Sequence, residues 1–322
     1  MQRRAAGATD LPVTPLGIGL AALGRPAYIT LGHDEDLGEG RGIGDLERRT
    51  HDVLDAALAA GVRYIDAARS YGRAEEFLAS WLDRRGADAD DVTIASKWGY
   101  TYTGGWRVDA ETHEVKDHSA GALRRQLGET RALLGDRLDV YQIHSATLAT
   151  GVLTDPEVLD LLDALGADGV RIGFTTSGPA QADVVRAGLA ATEQCPFAVV
   201  QATWNPLEPS AQTALAEAHE AGLVVVVKEA LANGRLAPRG DAADGLGDLA
   251  RTHGVGLDAV ALALALAQPW SDVVLLGAAT PAQVEANLEA LAVAEQIAPD
   301  AAAGIAEDPQ GYWEHRSSLA WT

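Results

Sequence analysis

The chain has 322 residues, 47% of them apolar, which is enough for one large α/β core or two ordinary ones. Its 25 basic residues face 46 acidic ones, and a net charge of −21 repels nucleic acid and anionic membranes, so neither is an expected partner. A lone cysteine, Cys195, excludes an intrachain disulfide and no apolar run follows Arg3 and Arg4, so no signal peptide or membrane span is expected and the cytoplasm is the expected location.

Strand-like apolar and β-branched runs recur at residues 16–18, 62–65, 92–95, 140–143, 170–174, 198–202, 223–227 and 273–276. Between them apolar residues take helical spacing, as in Val53, Leu54, Ala57 and Leu58, in Leu123, Leu127 and Leu134, and in Val284, Leu288 and Leu291. Asp155-Pro156-Glu157 signals a helix start, and Gly61 and Gly222 signal helix ends. Strand then helix, eight times over, predicts a (β/α)8 TIM barrel, and the absence of a Pro/Ser-rich linker predicts one domain over 1–322. A doubly wound open sheet is the alternative, weakened because no Gly-x-Gly-x-x-Gly follows an early strand. Residues 8–14 look like a short N-terminal β-hairpin. Long mouth loops are expected at about 24–44, 98–118 and 232–256, and the tail from 303 can reach the same rim.

Asp66 follows the second strand-like run and Tyr71 lies in the next turn, while Lys97 and His144 close the third and fourth runs. A phenol, an ammonium, a carboxylate and an imidazole gathered at one mouth can protonate a carbonyl while a hydride arrives from elsewhere. Lysine is scarce, with only Lys97, Lys116 and Lys228, so an ammonium at two strand ends suggests a need for a tunable point charge. Asp66, Tyr71, Lys97 and His144 in this order resemble the tetrad of the aldo-keto reductase superfamily. The resemblance runs from about residue 9 to 292. It implies a barrel whose floor is plugged by the N-terminal hairpin, and hydride transfer between a nicotinamide cofactor and an aldehyde, ketone or sugar. Tyr71 would then be the acid/base. Lys97 would lower the phenol's pKa, Asp66 would hold Lys97 charged, and His144 would orient the substrate oxygen.

The same resemblance implies a non-covalently bound NADP or NAD. Gln201 matches the family's carboxamide partner, and Gly173-Phe174-Thr175-Thr176-Ser177-Gly178 stands where the family has Gly-x-Ser-Asn, so Thr175 keeps a hydroxyl while Thr176 loses an amide. Gly277-Ala278-Ala279-Thr280-Pro281 resembles the phosphate segment, with Gln283 and Asn287 toward the adenosine. Relatives that prefer NADP carry cations there and this chain carries none, which raises the standing of NADH unless a loop residue such as Arg235 substitutes. At the seventh strand, before Leu231, Lys228-Glu229 replaces the family's stacking aromatic. It reads either as a rim ion pair or as a cation facing cofactor or substrate.

Aromatics cluster after Lys97 and in the tail, so Trp98, Tyr100, Trp204 and Trp313 are the expected substrate-pocket residues, suited to a sugar, a lactol or a flat ring. The competing expectation is that these tryptophans only pack loop and tail on the barrel. His113 and His118 have no metal-ligand spacing, and Cys195 reads as a small core residue. A Schiff-base lyase or aldolase using Lys97 or Lys228 and a catalytically idle nucleotide-binding relative remain the alternatives. A monomer or weak homo-oligomer is expected.

Overall fold

The computed structural model describes residues 1–191 and 195–322. Eight parallel strands close into a barrel in the order Leu16–Gly19, Tyr64–Asp66, Thr93–Trp98, Val140–Ala146, Arg171–Thr176, Phe197–Thr203, Val224–Lys228 and Val273–Leu276, the last pairing with the first. Every strand overlaps its predicted run. β-Branched residues suit strands covered on both faces, which is why a sheet wrapped by helices reads as near-continuous apolar stretches.

Alternation along the strands sets the site. Val199, Gln201 and Thr203 pair in register with Val224, Val226 and Lys228, so each inward-facing row runs from valine at the floor to a polar group at the mouth. At the floor, Val13, Tyr64, Ala95, Val140, Val199, Val224, Val226 and Leu275 form one buried cluster. Burying each such aliphatic side chain contributes roughly 1.5–3 kcal/mol. The N-terminal hairpin pairs Arg4–Ala6 with Leu11–Val13 and puts Leu11 and Val13 into this cluster. It therefore begins four residues earlier than expected, because its turn is made by Gly7 and Asp10, both at positive φ.

The outer layer follows its capping signals. Asp155 accepts from the Glu157 and Val158 amides ahead of helix Pro156–Ala167, and Thr280 accepts from Gln283 N ahead of Pro281–Asn287. Helix Ile43–Ala59 turns Val53, Leu54 and Ala57 inward. Helix Gln181–Ala191 approaches the fifth strand so closely that a Cβ on Gly188 would sit 2.2 Å from the Phe174 ring. The long mouth segments hold structure of their own: helix His33–Leu37, the hairpin of Tyr100–Tyr102 with Glu114–Lys116, and tail helix Pro309–Ser318. Among the described residues no single helix is long and apolar enough to cross a membrane.

Candidate active site

Strand geometry brings the four mouth residues together. Lys97 and Asp66 end neighbouring strands and face inward; the fully buried Lys97 ammonium donates to the Asp66 carboxylate, to Ala67 O at 2.9 Å and to the Tyr71 Oη at 3.2 Å. Gln142 and Gln201 each donate Nε2 to the second Asp66 oxygen, at 3.2 and 3.1 Å. A buried charge is tolerable only when so fully hydrogen-bonded. The His144 ring lies edge-on to Tyr71, 5.5 Å between centroids, with Nδ1 3.4 Å from Ser70 Oγ.

Burial raises the Tyr71 phenol well above its ordinary value, and the Asp66 carboxylate adds to the rise against the opposing Arg25 guanidinium. This reverses the depression expected from Lys97: burial dominates, and the Asp66 carboxylate acts on the phenol in the same direction. Burial also holds His144 well below the usual imidazole value, aided by Lys97, Lys228 and Arg25. The resting site thus presents a protonated phenol and a neutral imidazole.

These groups open into a cavity of about 660 Å³, lined by Asp66, Tyr71 and His144 at one end and by Gly277, Gln283 and Asn287 at the other. That volume lies within the usual range for small-molecule sites, roughly 300–1,000 Å³. A Cβ on Gly277 would meet nothing within 4 Å, so the wall there is open space. Two orphaned buried atoms sit on wall residues, Arg25 Nε and Asn233 Oδ1. The loop holding Asn233 keeps Glu229, Ala232 and Asn233 at positive φ, a local strain typical of ligand-binding turns.

The Aldo/keto reductase family model matches residues 45–305. The chain belongs to the aldo/keto reductase family. The Uncharacterized oxidoreductase YqkF of Bacillus subtilis (strain 168) is 25% identical over 53% of this chain and 46% of its own length. Aldo-keto reductase str7 of Strobilurus tenacellus is 37% identical over 26% of this chain and 24% of its own. The matched stretches thus span about half, or less, of these relatives. The structure of aldo-keto reductase AKR11C1 from Bacillus halodurans (holo form) has a TM-score of 0.70 at 23% identity, covering 99% of this chain and 96% of that one. Glycerol dehydrogenase AKR11B4 from Gluconobacter oxydans gives 0.67 at 22%, covering 89% of each. At these identities the structural likeness speaks for the fold.

In this aldo/keto reductase, Gln201, Lys228, Leu231, Gly277, Gln283 and Asn287 line the cavity. Thr175, Thr176 and Ala279 do not: Thr175 Oγ1 accepts from Ser145 N at 2.7 Å, Thr176 bonds Gln181, and Ala279 N donates to Gln283 Oε1. Ser177 takes the wall position instead. Of the four expected pocket aromatics only Tyr100 lines the cavity. Trp98 follows the inward Lys97 and so turns outward, 5.8 Å from the His118 ring. Trp204 packs on Trp270, and Trp313 packs on Tyr312 and Arg316 behind the wall. Arg235 cannot supply a cation to the cavity, because Glu307 and Asp241 hold it elsewhere.

Lys228 and Glu229 form the ion pair of the first reading. They lie 3.7 Å apart, and both line the cavity. Lys228 donates to Thr203 Oγ1 at 2.8 Å, and Arg316 from the tail helix grips Glu229 through Nε at 3.0 Å. Burial brings the Lys228 ammonium down to about 8. Against the upward push of burial, Arg316 and Lys228 draw Glu229 down to about 2.

Residues that no motif announced complete the cavity end that holds Tyr71. Arg25, 2% exposed, donates to Ser70 O and to Glu114, and its guanidinium lies 5.2 Å from the Tyr71 ring and 4.7 Å from Trp321. Trp321 stacks on His113 at 4.1 Å, and the tail is pinned by paired backbone bonds between Tyr28 and Thr322. The only sequence signal for this cluster was the excess of aromatics in tail and loop.

Proposed function

We propose that the chain is an NAD(P)-dependent oxidoreductase, acting as one barrel domain on the carbonyl or alcohol carbon of an aldehyde, ketone or sugar. The observation that carries this reading is the Tyr71 phenol, buried, backed by the Lys97–Asp66 pair, and opening beside His144 into the cavity.

The cavity's polar lining suits a nicotinamide dinucleotide. Gln201 stands beside the tetrad, Lys228 offers a cation, and Gln283 and Asn287, hydrogen-bonded to Asp36 and Asp258, line the far end. When bound, such a cofactor supplies the hydride to the carbonyl carbon. Tyr71 gives its Oη proton to the carbonyl oxygen, and the Lys97 N–H at 3.2 Å stabilises the phenolate left behind. Neutral His144 orients that oxygen through a ring N–H and leaves proton donation to the phenol. In the oxidative direction the same groups run in reverse, with Tyr71 taking the proton.

The test is absorbance of reduced nicotinamide during turnover of a carbonyl panel, wild type against Tyr71→Phe. Turnover by wild type and its loss in the variant support the reading; equal rates in both defeat it.

A Schiff-base lyase retains one observation in its favour, the cavity-facing Lys228 with its ammonium near 8. Lys97 is fully buried and committed to Asp66, so it is not the candidate nucleophile. Borohydride trapping of a carbonyl compound on Lys228 would favour this chemistry.

A further inference from the structure

The cavity end away from Tyr71 has a distinct chemistry. Its wall carries two carboxylates, Asp36 and Asp258, and one guanidinium, Arg239. Arg239 is already engaged, with Glu35 at 2.6 Å and with Asp36. Asp36 accepts from Gln283 Nε2 at 2.8 Å, and Asp258 accepts from Asn287 Nδ2 at 2.9 Å. The amides that could grip an anion are thus turned toward carboxylates. Close by, Asn233 is 6% exposed, lines the same cavity and keeps its Oδ1 without a partner. Its backbone O accepts from Leu31 N at 3.0 Å, which ties it to the loop that carries Asp36.

This end therefore offers acceptors: two carboxylates and an orphaned amide oxygen. Acceptors recognise hydroxyl and amino hydrogens. A 2′-phosphate monoester brings acceptor oxygens and close to two negative charges, which this wall answers with a single cation already shared between two carboxylates. A vicinal ribose diol brings two donors, for which a carboxylate is the standard partner in other dinucleotide sites.

Resting on the oxidoreductase reading, we propose that Asp36 is a cofactor-selecting residue, accepting from the free ribose diol of NAD(H) and excluding the 2′-phosphate of NADP(H). Asp258 and Asn233 complete an acceptor-lined adenosine pocket. Gln283 holds Asp36 in place, and Arg239, which only offsets part of its charge, serves no phosphate.

The experiment is calorimetric titration of the full chain with four probes: NADH, NADPH, ADP-ribose and 2′-phospho-ADP-ribose. None requires turnover, and the last two report on the adenosine end alone. The expected result is at least tenfold tighter binding of NADH than NADPH, with the same sign for the ADP-ribose pair. Asp36→Asn should narrow the gap to threefold or less, and Arg239→Ala should keep or widen it. Equal or tighter NADPH binding by wild type overturns the proposal, as does an unchanged gap in Asp36→Asn or a narrowed one in Arg239→Ala. The wild-type ratio decides even where a variant fails to fold. If none of the four probes binds, the oxidoreductase reading falls and takes this inference with it. Binding of both dinucleotides with the wrong preference sinks the inference alone.

Discussion

The Lys97 ammonium donates to the Tyr71 phenol oxygen at 3.2 Å while its charge is matched by Asp66. Burial keeps the phenol protonated at rest, and the ammonium's stabilisation grows only as the proton leaves. Interactions that strengthen toward the transition state are the ones that raise kcat. Tyr71→Phe should lower kcat by about 10²–10⁴-fold, the usual range for a positioned general acid, while binding of reduced cofactor by titration stays within threefold. Lys97→Met should lower kcat similarly and leave cofactor affinity in the same window.

The pH profile of carbonyl reduction follows from the directions of the shifts. His144 is held well below the ordinary imidazole value, so it is already neutral at pH 6 and contributes no acid limb near 6.5. Tyr71 is raised, so the proton donor is not titrated away as pH climbs through 9. Steady-state rates at saturating substrate should be flat from pH 6 to 7, any change above that belonging to Lys228, whose ammonium is brought down to about 8. A bell centred near neutrality would contradict the neutral-imidazole assignment.

Glu229 links the tail helix to the barrel, and its depressed pKa is a statement about stability. Its folded value of about 2 lies below the ordinary carboxylate value of about 4.3, so its contribution is complete above 4.3 and is lost as pH falls toward 2. Arg316→Met leaves the buried carboxylate with the Thr203 hydroxyl and Lys228 alone as its charged partner, and removing one partner of a buried pair costs about 3 kcal/mol. Denaturant unfolding at pH 7 should show that loss. The difference between wild type and variant should shrink as pH drops from 4 to 2.

Trp321 lines the cavity, stacks on His113 and lies under Arg25. Trp321→Leu should raise KM for a cyclic hydroxylated carbonyl by about tenfold, the equivalent of one lost stacking contact of ~1.4 kcal/mol, and leave KM for a short aliphatic aldehyde unchanged. Steady-state kinetics with the two substrates checks it; equal shifts would place Trp321 in structural support only.

Gly188 tests the packing of the outer layer. A Cβ there meets the Phe174 ring at 2.2 Å, and overpacking of this kind costs about 1–3 kcal/mol. Thermal unfolding of Gly188→Ala should show a lowered midpoint with the cofactor affinity unchanged.

The strands were legible because a barrel wall is buried on both faces, so its β-branched runs stand out from the helices. The tetrad was legible because Asp66, Lys97 and His144 sit toward strand ends, where alternation fixes direction, and Tyr71 follows in the turn after Asp66. The same alternation also foretells that Trp98 turns away from the site once Lys97 faces it. Asp36 and Arg239 were not legible: they meet across 203 residues of sequence, between two irregular loops whose paths no local pattern fixes. Nor was the direction of the Tyr71 shift, which depends on burial and on the Asp66 carboxylate rather than on the nearest cation.

Arg239 reaches across to Glu35 and Asp36, crossing so close to Gly32 that a Cβ there would sit 2.7 Å from its guanidinium carbon, while Leu31 and Asn233 join backbones. These contacts strap two mouth loops together over the cavity that Tyr71 and His144 also line. On the proposed reading, a dinucleotide must loosen this strap to come or go. On that reading, exchange of one cofactor for another waits on the opening of the strap, a conformational step of the kind that paces many enzymes.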